Sequence, residues 1–419
     1  MLAGIGGGAC NSLSTFVASD HIPLRVRGFW QGIGLILYAI GVGLGGVLGG
    51  AINDLWGWRW AFIMLTPFSV LSGLGVACFL PESTSSAHSF RRRLGRIDFG
   101  GSITLVSSLA LLLVGLNHDN PEGVASGSIV KIVLPLAGVL FTTFVLIELR
   151  FAKEPILPLT LLQIRTVLAA CLTSWFASMA VYALMFYVPL YLQVLGHSTS
   201  ETGLRLLPES IGGGMGSFMA GVITRATGRY GLLKTIAPLL LASGALGFAG
   251  STVTTPSVLP EVYLFLNGLG FGGLLTVLLL ALLSAVTYEQ NATATSVLYA
   301  FRSTGATLGL SASGALFRAL LKRKLRGVEL SDSVSTIKWP GNLDDVRRCS
   351  RPGGDSGGGQ AECPRLIEGY MYALHGAFAL ALGFAFAALV CSAFIRDYKL
   401  RRNFKQTEEE DSSTAEENS

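Results

Sequence analysis

Residues 28–51 read GFWQGIGLILYAIGVGLGGVLGGA and residues 60–81 read WAFIMLTPFSVLSGLGVACFLP. Neither stretch carries a charge, and each is as long as a helix must be to cross about 30 Å of hydrocarbon. Runs of this kind recur at 1–19, 28–51, 60–81, 99–116, 129–149, 167–195, 206–224, 232–251, 261–286, 296–317 and 370–395, eleven in all. They are rich in Leu, Ala, Gly and Phe and show no alternation of period two. In hydrocarbon every backbone N–H and C=O must be paired within its own segment or closed barrel, so such runs are helices and not barrel strands. The fold class is all-α and polytopic. The whole chain agrees: 51% of its 419 residues are hydrophobic and 14% charged, with a mean hydropathy of +0.55, outside the range of an ordinary soluble domain.

Charge placement orients the spans. The net charge of +5 says little, but cytoplasmic loops carry an excess of Lys and Arg. Arg25 and Arg27, the cluster Arg91, Arg92, Arg93 and Arg96, then Arg150, Lys153 and Arg165, then Arg225, Arg229 and Lys234, and finally the segment after 395 fall on one side. The short opposite loops hold Arg59, Lys131 and Arg205. The carboxyl terminus is therefore expected in the cytoplasm and Met1 outside. The long loop 318–369 is also basic yet lands outside, against the rule, although long loops weigh less in it. It holds Cys349 and Cys363, for which a disulfide and two free thiols are both open. Cys10, Cys78, Cys171 and Cys391 lie in spans.

Glycine pattern divides the chain further. LAGIGGGA at 2–9 resembles LNGLGFGG at 266–273, and each is followed by a second helix with glycines four apart. Internal repeats of this kind mark transporters built of two matching halves. The late copy has three spans ahead of it in its own half. The early copy has none, so the expectation is a chain lacking three helices before Met1 and, as written, a poor transporter. The resulting division is 1–81 for three helices of the first bundle, 82–98 for a cytoplasmic loop and 99–150 for two central helices. Residues 151–395 form a six-helix second bundle, and 396–419 a disordered tail. The sequon at Asn291 falls in a cytoplasmic connection and should stay unmodified. Five scattered histidines have no metal spacing, and no nucleophile elbow, phosphate loop or HExxH motif is present. Neither an enzyme nor a bound cofactor or metal is expected, nor a nucleic-acid partner.

GIGGGACNSLSTFVASDHIPLRVRGFWQGIG (4–34), GVGLGGVLGG (41–50), GWRWAFIMLTP (57–67) and RIDFGGSITLVSSLALLLVGL (96–116) together resemble the fungal branch of the major facilitator superfamily with 14 helices. That branch includes drug:proton antiporters, toxin efflux pumps and vacuolar basic-amino-acid transporters. EPILPLTLL (154–162), YVPLYLQVLG (187–196), GLRLLP (203–208), GVITRATGR (221–229) and FRSTGATLG (301–309) stand at family positions too, so the similarity runs over about residues 1–400. The resemblance implies that helices 4 to 14 are present and that the Arg usual at the start of the fourth lies before Met1. It also implies a monomeric secondary transporter of a small organic solute, driven by a proton gradient and more at home in the plasma membrane than in the vacuole. A vacuolar basic-amino-acid transporter and a non-transporting fragment stay open as alternatives. In the fifth-helix antiporter motif Gly41, Gly45, Gly49 and Gly50 match, but Gly46 stands where efflux members commonly have Pro.

Candidate site residues follow from these patterns. Gly34, Gly41, Gly45 and Gly49 fall on one helix face, where a neighbouring backbone is expected to approach. Gly221, Arg225, Gly228 and Arg229 form a cation-flanked turn that can lock one conformation. Charge at the bilayer centre is costly, so Glu209 and Arg302 are weighed as functional, against a helix-start and a snorkelling reading. They enter from opposite sides and are not expected to pair. Tyr38, Tyr187, Tyr191, Gln193 and Asn267 are candidates to line a central cavity.

Overall fold

The structure is a computed structural model, and it describes residues 4, 6–10, 17, 24–79, 98–117, 125–150, 159–287, 290–325 and 363–397. Among them no strand occurs. The principal helices are α1 (Leu24–Trp56), α2 (Trp58–Phe79), α3 (Phe99–Asn117), α4 (Ala125–Arg150), α5 (Arg165–Val194), α6 (Thr199–Arg205), α7 (Leu207–Thr227), α8 (Leu233–Ala249), α9 (Val258–Ala285), α10 (Asn291–Leu325) and α11 (Cys363–Ala393). Seven of these, α1 to α5, α9 and α11, are both long and apolar enough to cross a bilayer. The 17-residue α8 is apolar but shorter, while α7 is diluted by glycine and α10 by polar residues. The run at 1–19 is described only at scattered helical positions.

The boundaries of the loop expected at 318–369 differ. Helix α10 continues to Leu325 and α11 already begins at Cys363. Lys322, Arg323 and Lys324 sit in the last turn of α10, where cations complement the helix dipole. Lys324 also reaches Glu368 on α11 at 3.0 Å, tying the two extensions together. Cys349 lies outside the described residues, as does the tail beyond Asp397.

Helices α5 and α7 to α11 form a close-packed bundle. Gly212 and Gly216 of α7 face the carbonyls of Phe265 and Leu269, and Gly268 and Gly272 of α9 face those of Glu209 and Gly213. A β-carbon at any of the four would overlap the partner's backbone, so α7 and α9 meet main chain to main chain. The Ser217 and Thr276 hydroxyls hydrogen-bond at 2.7 Å across the same seam. Gly305 of α10 approaches α5 in the same way, since a β-carbon there would lie 2.5 Å from the Trp175 carbonyl. An aromatic chain fills the centre: Tyr187 against Phe317 at 5.2 Å, Tyr191 against Phe378 at 6.1 Å and Phe248 against Phe378 at 5.5 Å.

The central helices α3 and α4 form an antiparallel hairpin, with Ser108 donating to the Ala137 carbonyl at 2.9 Å. Asp98 caps α3 by accepting from Gly101 N–H at 2.8 Å. Among the described residues the hairpin's extensive outside packing is with α10, where Arg318 donates to the Leu116 carbonyl at 2.9 Å. Helix α1 packs on α7 and α6. Gly57, at φ 87°, ends α1 by donating to the Ile52 and Asn53 carbonyls and reverses the chain into α2.

Candidate functional site

A cavity of about 250 Å³ lies between α1 and the six-helix bundle. Helix α1 contributes Leu35, Tyr38, Ala39, Val42 and Gly43; α5 contributes Val181, Tyr182 and Met185. Glu209 and Ser210 enter from the first turn of α7, and Phe271 and Leu275 from α9. The walls are thus largely apolar, with a few polar groups, Tyr38, Tyr182, Glu209 and Ser210, contributed by three helices, the make-up of a small-molecule site. Tyr182 is in hydrogen-bonding range of Tyr38 and within electrostatic reach of both Glu209 and Arg302. The Glu209 side chain has no hydrogen bond or ion pair among the described residues.

The start of α7 puts Glu209 there. Leu206 ends the short helix α6, Pro208 sits in the first turn of α7, and Glu209 N–H donates to the Leu206 carbonyl at 3.2 Å. Proline at this place and a carboxylate in the first turn are what a helix start favours, and the same turn faces the cavity. Arg302 lies with its guanidinium carbon 4.0 Å from the centre of the Tyr299 ring, a cation–π contact one turn away on its own helix. It and Glu209 both lie within electrostatic reach of Tyr182.

The other candidates separate. Tyr38 lines the cavity. Tyr187 and Tyr191 are buried in the bundle core, the latter donating to the Thr252 carbonyl at 3.1 Å. Asn267 is also fully buried and donates to the Leu241 carbonyl at 3.2 Å, and half-buried Gln193 is not among the lining residues. On α1 the close approach expected at Gly34, Gly41, Gly45 and Gly49 falls elsewhere, for a β-carbon at these positions would meet nothing within 4 Å. The face in contact is Ile36, Ala39, Gly43, Gly46 and Gly50: Gly214 packs on Ile36 and Ala39, Gly43 on Leu207 and Ser210, and Gly50 on Thr199 and Ser200. Of the motif glycines Gly41, Gly45, Gly49 and Gly50, only Gly50 lies on this contact face. At the far end of α7, Gly221 is buried and Gly228 adopts φ 66° as the left-handed cap. Thr227 Oγ1 donates to the Arg229 carbonyl at 3.0 Å, so GVITRATGR does form a tight turn with Arg225 and Arg229 exposed.

Sequence reading overlooked Tyr182, Ser210 and the ionic cluster that borders the cavity. His197 Nδ1 lies 2.9 Å from Glu201 Oε1, and Arg205 reaches Glu201 at 3.5 Å and Glu261 at 3.1 Å. The His197 hydrogen bond first, and then the charges of His197 and Arg205, hold the Glu201 carboxyl below the usual carboxylate range. Two signals announced this cluster. Ser198 and Glu201 stand in capping-box spacing, with Ser198 Oγ accepting from Glu201 N–H at 3.2 Å. His197, Glu201 and Arg205 also recur every four residues, the spacing of helix-face partners.

Comparison with known proteins gives the same family that the motifs resemble. The model of the Major Facilitator Superfamily matches residues 1–310. Multidrug resistance protein fnx1 of Schizosaccharomyces pombe is 32% identical over 408 residues, covering 95% of this chain and 75% of that protein. Vacuolar membrane amino acid uptake transporter fnx2 of the same yeast is 28% identical over 403 residues, covering 95% and 68%. Vacuolar basic amino acid transporter 2 of Saccharomyces cerevisiae is 31% identical over 341 residues, covering 78% and 72%. This chain therefore belongs to the Major Facilitator Superfamily, as an integral multi-pass membrane protein and a secondary transporter, a carrier and not an enzyme.

Proposed function

We propose that the protein moves a small organic cation across its membrane in exchange for protons, by alternating access around the cavity between α1 and the second bundle. The observation that carries this reading is Glu209, a carboxylate facing an apolar cavity with two tyrosines beside it. A carboxylate in such surroundings needs a positive partner to offset its lost hydration. A proton and a cationic substrate can serve in turn, and that mutual exclusion is the elementary step of antiport. Leu35, Val42, Val181, Met185, Leu206, Phe271 and the tyrosine rings offer apolar area to the rest of the solute.

The apolar walls favour an amphipathic cation over a free basic amino acid, whose own carboxylate would need a cation in the cavity. Efflux of a drug, toxin or metabolite through the plasma membrane, by a monomer, is the reading this supports. Uptake of basic amino acids at the vacuole is the second reading, favoured by Arg302, a cation within electrostatic reach of the cavity residue Tyr182. Binding to the purified protein separates the two. Tetraphenylphosphonium should bind, and Glu209→Gln should weaken it by roughly tenfold or more, about 1.4 kcal/mol, and flatten its pH dependence. Tight lysine binding without tetraphenylphosphonium binding would favour the vacuolar reading. Indifference of both ligands to Glu209→Gln would sink the assignment.

A further inference from the structure

The seven-residue helix α6 contributes Gly203 to the wall of the cavity and has two faces of different chemistry. Its Thr199, Ser200 and Gly203 lie on α1. A β-carbon at Gly203 would sit 2.5 Å from the Gly46 carbonyl, and one at Gly50 would sit 3.0 Å from the Thr199 carbonyl. These contacts are main chain against main chain and involve no charge. The second face, one helical turn apart at Glu201 and Arg205, turns to the six-helix bundle. Arg205 Nη1 donates to Glu261 Oε1 at 3.1 Å and to the Ser257 carbonyl at 3.2 Å, which fastens α6 to the start of α9. Its Nη2 lies 3.5 Å from Glu201 Oε1, and His197 Nδ1 reaches that same oxygen.

A helix of two turns has no stability of its own, so its position depends on such fastenings. The Arg205 side chain is 20% exposed, where an ion pair is screened less than at an open surface. The planar guanidinium can hold Glu261, Ser257 and Glu201 at once, which a lysine ammonium does less well. The α1 contact, by contrast, can part without breaking an ion pair.

We propose that Arg205 is a positioning residue for transport: by fastening α6 to α9 it holds this helix as a lid over the cavity, so that the lid travels with the second bundle and seals or parts against the glycines of α1. Arg205 is not among the residues lining the cavity, and its role is exerted through Gly203 and its neighbours. The assignment borrows from the proposed function only the identity of the cavity as the solute site.

The test reads the lid directly. In the full chain with its native cysteines replaced, Ser210→Cys places a thiol in the cavity, and a membrane-impermeant thiol reagent is added on the side carrying α6. Modification should be slow in this parent and rise roughly tenfold in Arg205→Gln. Arg205→Lys should restore slow modification to within about threefold, since one fastening survives. Arg205→Gln reacting at the parent rate, at parent abundance in the membrane, overturns the proposal. If that variant is not recovered in the membrane, Glu261→Gln decides, because it leaves the Glu201 pair intact: a faster rate supports the lid and an unchanged one overturns it. Tetraphenylphosphonium binding measured alongside keeps the two assignments apart. Weakening by Glu209→Gln with no labelling change in Arg205→Gln leaves the cation site and removes the lid; the reverse pattern leaves the lid and removes the cation site.

Discussion

Two contacts of α7 use glycine in opposite ways. Toward α9, Gly212, Gly216, Gly268 and Gly272 bring the two backbones together turn after turn, and the Ser217–Thr276 hydrogen bond closes the seam. Toward α1, close approach occurs at intervals, at Gly43 and Gly214, with the cavity and Glu209 beside them. The first contact lies inside the six-helix bundle and leaves no room. The second lies between that bundle and α1 and leaves about 250 Å³. Small residues alone therefore do not tell a closed seam from a contact that leaves space; the partner helix does.

Substitutions can break this contrast. The largest effect is expected at the inner seam. Gly272→Val would drive side-chain atoms into the Gly213 main chain, and the variant should lose about 3 kcal/mol or more, seen as low recovery and a lowered Tm of the purified protein. Full stability would mean that α7 and α9 are not in backbone contact. An intermediate effect is expected at the lid. Gly203→Val should leave the protein folded but weaken closure against Gly46 by about 1–2 kcal/mol, read as faster modification of a thiol at position 210. A variant that fails to fold would place Gly203 with the inner seam. The smallest effect belongs to the open face of α1, where Gly41→Ala and Gly45→Ala should change stability by no more than about 0.5 kcal/mol. A loss of several degrees in Tm there would show that this face is packed after all.

What the sequence could and could not tell follows from the same glycines. Spans and family were legible because a charge-free run of membrane length has little place outside a bilayer and the quoted motifs are specific. The contact face of α1 was not. Glycines occupy 41, 43, 45, 46, 49 and 50, so the period of 3.6 residues selects Gly41, Gly45 and Gly49 as readily as Gly43, Gly46 and Gly50. Only the partner helix decides. Tyrosines posed the same problem: Tyr187 and Tyr191 are spaced one turn apart and both fall on the core side, while Tyr182 and Tyr38 come from helices far apart in sequence and meet at the cavity. Glu209 was visible because a lone carboxylate in a span is unusual, although its first-turn position offered a structural reason as well. From sequence Arg318 stands as the first residue of a loop, since nothing in the local pattern says that α10 continues to Leu325.

That arginine settles whose passenger the central hairpin is. With its guanidinium on the Leu116 carbonyl at the end of α3, the α3–α4 hairpin is moored to α10 and so to the six-helix bundle. Were that bundle to shift against α1, the hairpin would sweep through lipid with it as an outrigger. A spectroscopic label on α3 or α4 would then keep a constant distance to α10 throughout a cycle, while its distance to α1 oscillates.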